Sequence, residues 1–426
     1  MKSRTKTRTF KAVKAWVPVM GGVLLSSALV FNPATSASAN ELQTEAVSTS
    51  SLLDVGQGIK WPTQVNSPFV DMGAWITGDY GNNGAPNLGR LSQNSGAEFF
   101  KLGFIQAAGG IQNGRVAWGW AGHHVLSPSN PSNHQYQGIR QSIRDVRDMG
   151  GDVAVSFGGL NGLTFWEVTQ DVEILANTYL DIINEYGLTR IDLDIETGGS
   201  LNKNRNIANA QALAKVQQET GVEIVLTLPV LPTGLVNTGL DMLEVYLSHG
   251  VDISLVNIMT MYMGNQFLPG ESAGEASIRA AESTKQQIQN AYRQYAGIQL
   301  TDAEAYQKLG VTPSIGKSHE LFTLYDAEKL VDYAIDKGLG MVSFWSMGRD
   351  AMIGSDANHL TGHLAITTPY QFSNIFNRFM EGIERPVDPV DPVDPVDPVD
   401  PVDPVDPVDP VDPVDPVDPV DPVDPV

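Results

Sequence analysis

The stretch Arg190-Ile191-Asp192-Leu193-Asp194-Ile195-Glu196-Thr197 alternates acidic with aliphatic side chains, and its reading decides the fold. Successive side chains of a strand point to opposite faces, so Asp192, Asp194 and Glu196 share one face while Ile191, Leu193 and Ile195 share the other. A solvated edge strand is the plain alternative. The neighbourhood argues against it. About one helix upstream lies Val153-Ala154-Val155-Ser156-Phe157-Gly158-Gly159, an apolar run closed by two glycines, at the separation of a strand–helix–strand unit. Three acids on the inner face of such a unit are costly to bury, and like charges this close compel at least one to keep its proton. The row calls for a chemical role.

Outward from this segment, eight apolar or β-branched runs recur, at 69–75, 99–105, 153–157, 190–196, 223–230, 253–263, 311–315 and 341–347. Amphipathic helical stretches separate them, for example 165–186, 204–220 and 326–337, stopped by Gly187, Gly221 and Gly338. Only 109–131 reads as loop. Alternating strand and helix predicts an α/β chain whose parallel sheet closes into a single-domain (β/α)8 TIM barrel over 67–385, with its active site at the C-terminal ends of the strands. Glu196 falls at such an end. Between the seventh and eighth runs there is space for about one helix and not for an inserted α+β module, so a shallow, open cleft is expected.

The ends of the chain read differently. Lys2, Arg4, Lys6, Arg8, Lys11 and Lys14 precede an apolar run over 17–30, and Ala37-Ser38-Ala39 follows. This is the form of a secretory signal over 1–39, too short to favour a retained membrane span, so a secreted, extracellular protein is expected. Residues 40–66, rich in Ser, Thr and Gln, read as a mobile lead-in. From 386 to 426 the chain is an uninterrupted Pro-Val-Asp repeat with 13 aspartates. Proline at every third position excludes helix and internal sheet and favours a polyproline II rod reaching up to about 130 Å, with every aspartate on one edge. A self-repelling spacer is the leading reading of this tail, and cell-wall association is the alternative.

The net charge is −22, of which the signal contributes +6, the repeat −13 and residues 40–385 the remaining −15. An acidic body argues against nucleic acid or anionic lipid as partner and is compatible with a neutral polymer. Without any cysteine, neither disulfides nor thiolate metal sites hold the fold. His123 and His124 are adjacent and lack the i, i+4 spacing of a helical ligand pair, so neither metal nor cofactor is expected. Aromatic faces stack on sugar rings, which makes Trp75, Trp118, Trp120, Trp166 and above all Trp345 candidates for ligand contact.

With these residues assembled, the chain resembles glycoside hydrolase family 18, the chitinases, and within it the bacterial type D chitinase-like group, over about residues 69–350. Asp192-Leu193-Asp194-Ile195-Glu196 is similar to the end of the family's Asp-x-x-Asp-x-Asp-x-Glu signature on the fourth strand, and Ser156-Phe157-Gly158-Gly159 to its Ser-x-Gly-Gly on the third. Trp345, within Ser343-Phe344-Trp345-Ser346, resembles the tryptophan of the eighth strand, and Val311-Thr312-Pro313-Ser314-Ile315-Gly316 the group's seventh strand.

The resemblance implies a chitinase acting on chitin or other N-acetylglucosamine-containing oligosaccharides, as a monomer. Glu196 would be the general acid, with a pKa raised by burial and neighbouring acids. The substrate's own acetamido oxygen would attack the anomeric carbon, the substrate-assisted exception to the two-carboxylate scheme. Asp194 would stabilise the oxazolinium ion, and Asp192 would share a proton with Asp194. Trp345, Met259, Met261, Ser156 and Gly158 would line the substrate site. The resemblance leaves two alternatives: an endo-β-N-acetylglucosaminidase on glycan cores, or a lectin on a degenerate barrel, against which retention of Glu196 argues.

Two positions depart from the pattern. Thr189 stands for the first Asp of the signature, and little catalytic effect is expected. The sixth strand, Asn257-Ile258-Met259-Thr260-Met261-Tyr262-Met263-Gly264, has Tyr262 where relatives carry aspartate. Tyr262 would supply the hydroxyl that holds the acetamido group, but strict alternation aims it away from Met259 and Met261. It reaches the cleft only if the strand bends at its end; otherwise it packs against a helix.

Overall fold

The computed structural model describes residues 52–351 and 366–381; the signal-like segment and the Pro-Val-Asp repeat lie outside the described residues. A parallel sheet forms the inner layer. Its strands are β1 (Val65–Asn66), β2 (Phe69–Asp71), β3 (Phe99–Gln112), β5 (Asp152–Gly158), β6 (Arg190–Asp194), β7 (Glu223–Leu231), β8 (Ile253–Met259), β9 (Leu309–Thr312) and β10 (Met341–Val342), and β4 (Arg115–Trp120) lies antiparallel to β3. The spatial order β1-β10-β9-β8-β7-β6-β5-β3-β2 begins and ends with two pieces of one short stretch. Val65 pairs with Met341 and Phe69 with Lys101, while Ser67 N–H donates to Val342 O at 3.0 Å and Pro68 O accepts from Lys101 N–H at 3.0 Å. The sheet therefore closes on itself, as the alternation of strand and helix predicts.

Around it run α1 (Leu88–Ser95), α2 (His134–Asp148), α3 (Val172–Tyr186), α4 (Lys203–Thr220), α5 (Asn237–Ser248), α6 (Ala273–Ala291) and α7 (Leu324–Lys337). Gly187, Gly221 and Gly338 end α3, α4 and α7 in the left-handed conformation, which a residue without a Cβ adopts without strain. Residues of β5 and β6 are buried on both faces, the mark of a sheet enclosed between a packed interior and a helical ring.

Several boundaries differ from the sequence expectation. The run 165–186 divides into a short turn, Phe165–Val168, and α3, because Asp171 caps α3 by accepting the Glu173 and Ile174 N–H groups. The stretch read as loop, 109–131, contains the end of β3 and all of β4: the two form a hairpin through Asn113-Gly114, the first at φ 51° and the second at φ 72°. The strands expected at 69–75 and 341–347 shorten to Phe69–Asp71 and Met341–Val342. Between β9 and β10 lie only a two-stranded turn, Gly316–Lys317 with Leu321–Phe322, and α7.

The expected boundary at residue 67 falls too late. Val55, Trp61 and Val65 are buried, and the lead-in from residue 52 onward seals the N-terminal end of the barrel. Asp152, wholly buried, is its anchor: it accepts from Ile59 N–H, Trp61 Nε1 and Arg147 Nε, the last at 2.9 Å. Thr189 donates to Ile59 O at 2.6 Å, which gives the departure at this position a structural role at the barrel's base, far from the mouth. Removing one partner of a buried ion pair leaves the other charge stranded. Asp152→Ala should therefore cost about 3–5 kcal/mol in urea denaturation, with the Trp61 fluorescence change accompanying global unfolding.

Candidate active site

The inward face of β6 aligns Asp192 and Asp194 along the barrel axis, and Glu196 follows just past the last strand residue. Asp192 lies deepest, with no exposure. Its Oδ2 accepts from Ser156 Oγ at 2.6 Å and its Oδ1 from Thr227 Oγ1 at 2.5 Å. Thr227 in turn accepts from Asn257 Nδ2 at 2.9 Å, and Asn257 Oδ1 accepts from Thr312 Oγ1 at 2.8 Å. One polar layer thus crosses β5, β6, β7, β8 and β9, and from Thr312 to Asp192 every donor points toward the carboxylate. Hydrogen bonds aligned in one direction reinforce one another and favour a negative charge at their end.

Asp194 and Glu196 share a hydrogen bond. Burial and the nearby Glu196 and Asp192 charges push the Asp194 carboxyl well above the usual range. Burial likewise raises Glu196 to about 7, and the bond from Asp194 offsets part of that rise. Burial raises Asp192 too, against the pull of Lys101, Ser156 and Thr227. Asp194 is thus hydrogen-bonded to Glu196, while Asp192 has a hydroxyl donor on each oxygen.

Above the acids opens a cleft of about 720 Å³ at the C-terminal ends of the strands. Trp345 and Phe104 lie on its floor with ring planes 17° apart and centroids 5.8 Å apart, and Phe69 packs beside them. Met259, Met261, Leu231 and Val236 form an apolar wall, while Asp71, Gln106 and Arg349 bring polar groups to it. Arg349 is held by the Ile315 and Lys317 carbonyls, to which its Nε and Nη2 donate at 2.9 and 2.7 Å.

Tyr262 reaches this cleft. β8 stops at Met259, Met261 N–H turns back to Met259 O at 2.8 Å, and Tyr262 follows at φ 52°, 64 % exposed and facing His319 across 6.2 Å. The strand end breaks alternation, so Met259, Met261 and Tyr262 all line one cavity.

Three expected substrate contacts are corrected. Ser156 is wholly buried beneath Asp192 and orients it. Gly158, at φ 111°, backs β6: a Cβ there would lie 2.2 Å from Asp194 O, so its role is close backbone approach. Trp118 faces away from the cleft, donating its Nε1 to Asp181 on α3 at 3.1 Å and packing edge-on to Tyr186. Trp120 and Trp166 are core, whereas Trp75 is exposed. Thr227, Asn257, Thr312 and Lys101 were missed by the sequence reading; the signal was a single polar residue at an inward position of each otherwise apolar strand.

No model of a known protein family matches the chain. It is 30 % identical over 331 residues to a probable bifunctional chitinase/lysozyme of Escherichia coli (strain K12), covering 75 % of this chain and 35 % of that protein. It is also 30 % identical over 301 residues to endochitinase 11 of Metarhizium anisopliae, covering 68 % of this chain and 53 % of the relative. The chain thus spans about a third to a half of the length of these curated relatives. The crystal structure of the catalytic domain of a hyperthermophilic chitinase from Pyrococcus furiosus superposes with a TM-score of 0.64 at 28 % identity, covering 78 % of this chain and 99 % of that domain.

The layer that grips Asp192 has a measurable worth. Thr227→Val keeps the side-chain shape and removes the hydroxyl from both Asp192 and Asn257, so it should cost roughly 1–3 kcal/mol in denaturant unfolding.

Proposed function

We propose that the chain is a secreted chitinase of glycoside hydrolase family 18 that cleaves β-1,4-linked N-acetylglucosamine polymers or oligomers with retention of configuration, a reading supported by its 30 % identity to curated chitinases. The observation that carries this reading is Glu196, a carboxyl raised to about 7 at the mouth of an aromatic-floored cleft and hydrogen-bonded to Asp194. A general acid works best when its pKa lies near the operating pH, and burial supplies that shift here.

The chemistry then follows from the placement of the groups. The Trp345 indole offers a flat face to the apolar side of one sugar ring. The Glu196 carboxyl gives its proton to the scissile glycosidic oxygen while the acetamido carbonyl oxygen of the same substrate attacks the anomeric carbon. The positive charge that develops on the cyclic oxazolinium ion is met by the Asp194 carboxyl, whose proton is shared with the newly ionised Glu196. Glu196, now ionised, takes a proton from the water that opens the ring and returns to its starting state. Tyr262, which lines the same cleft as the acids, supplies a hydroxyl to hold the acetamido group in its attacking geometry.

Hydrolysis of a defined chitooligosaccharide, with products resolved by mass and anomeric form, is the direct test. Wild type should release β-anomers first; release of α-anomers first, or no cleavage of any N-acetylglucosamine oligomer, would sink the reading. Glu196→Gln should lose activity by about 10²–10⁴-fold while still binding the sugar. Since the acid must be protonated in the free enzyme, kcat/KM should fall as pH rises through about 7. Tyr262→Phe should lower kcat by roughly 10–100-fold with a smaller change in KM, as removal of a positioning contact does.

A further inference from the structure

Lys101 sits inside the barrel. It lies on β3 opposite Phe69, is 1 % exposed, and its Nζ has no hydrogen-bond partner. The ammonium stands 4.1 Å from the centroid of the Phe69 ring. A cation–π contact of this kind offsets only part of the cost of burying an isolated ammonium. Something else must offset the burial. The charged groups that face it are Asp192 and Asp194, which favour its charge, and Arg190, which opposes it. Arg190 is already paired with Glu223 at the barrel's base.

Two independent features of the interior converge on Asp192. The hydrogen-bond chain from Thr312 through Asn257 and Thr227 delivers a hydroxyl proton to one carboxylate oxygen, and Ser156 delivers another to the second. A protonated Asp192 would need an acceptor of its own and would reverse one of these bonds. The nearby buried lysine supplies the matching positive charge.

We propose that Lys101 is a positioning residue for the reaction: its buried ammonium holds Asp192 as a carboxylate and thereby confines the proton of the acidic row to Asp194 and Glu196, where the chemistry needs it. The inference rests on the reading of Glu196 as general acid. Lys101 touches no substrate and acts through Asp192. Its own pKa, brought down to about 8 by burial, leaves it charged at neutral pH.

The test uses the full-length protein with Lys101→Met, Lys101→Arg, Asp192→Asn and the Lys101→Met/Asp192→Asn pair. A cation lowers the pKa of a nearby carboxyl, so its loss raises those of Asp192 and Asp194, and Glu196 follows through its hydrogen bond to Asp194. Lys101→Met should therefore move both limbs of the kcat/KM profile on a chitooligosaccharide to higher pH, by about one unit, and lower kcat at least ten-fold with KM within about two-fold. Lys101→Arg should return the limbs toward the wild-type positions. Limbs that stay in place in Lys101→Met would overturn the proposal, whatever the loss of rate.

Urea denaturation of the same four proteins reads the pairing without any activity. If Lys101 and Asp192 compensate each other, the pair of substitutions costs less stability than the sum of the single losses. Additive losses would refute the pairing. Should Lys101→Met fail to fold, recovery of folded protein on adding Asp192→Asn supports the proposal, and no recovery overturns it. A wild type that cleaves no such sugar would remove the chitinase reading while leaving the stability cycle to decide on Lys101.

Discussion

Everything at the mouth of this barrel depends on a negative charge being tolerable at its centre. A carboxylate as deep as Asp192 is costly in an apolar interior, and the strands around it are organised to offset that cost. Ser156, Thr227, Asn257 and Thr312 each occupy an inward position on a different strand, and each passes a donor toward the same group. The layer replaces what would elsewhere be branched aliphatic filling. Barrel interiors of this type gain stability from packing, so a hydrogen-bonded layer in their midst is a concession to chemistry and only breaks even because every member of it except the ammonium is satisfied.

The gradient that results separates the three acids by environment. Asp192 has hydroxyl donors and a cation; Asp194 has an acid on either side and an orphaned Oδ1; Glu196 stands half-buried at the cleft. Equal spacing along one strand therefore yields unequal proton affinities, because the surroundings change over two residues from polar interior to solvent boundary. The row titrates as a coupled unit, and the direction of each shift follows from which groups the strand carries it past.

How far this was legible in the sequence can be judged residue by residue. The alternation at 190–196 and the helix-stopping glycines specified strand, face and fold class, because period-two and period-3.6 patterns are local properties. The hairpin of β3 and β4 was missed since its strands carry glycine and alanine at 107–110, weak β-formers whose pairing is decided by tertiary contact with α3, where Val116 N–H meets Thr178 Oγ1. Trp118 was misread for the same reason: an indole in a strand looks alike from sequence whether it faces a sugar or a helix. Lys101 was visible as an isolated charge in an apolar run, but its meaning needs Asp192, 91 positions away in the chain and brought near only by barrel closure.

The end of β8 is where local rules and function pull apart. Alternation would send Tyr262 outward, and a non-glycine residue at φ 52° costs about 1–2 kcal/mol. The turned strand end brings the Tyr262 side chain into the cleft beside Met259 and Met261, which a continued strand would not. Met263, buried next in line, donates its N–H to Glu320 Oε1 at 3.0 Å, which fixes the turn from the other side. The position at which this chain departs from the pattern implied by its resemblance to family 18 is thus also the position at which its backbone departs from the ideal strand. A tyrosine is longer than an aspartate, and only a turned strand end gives its ring space to stand in the cleft.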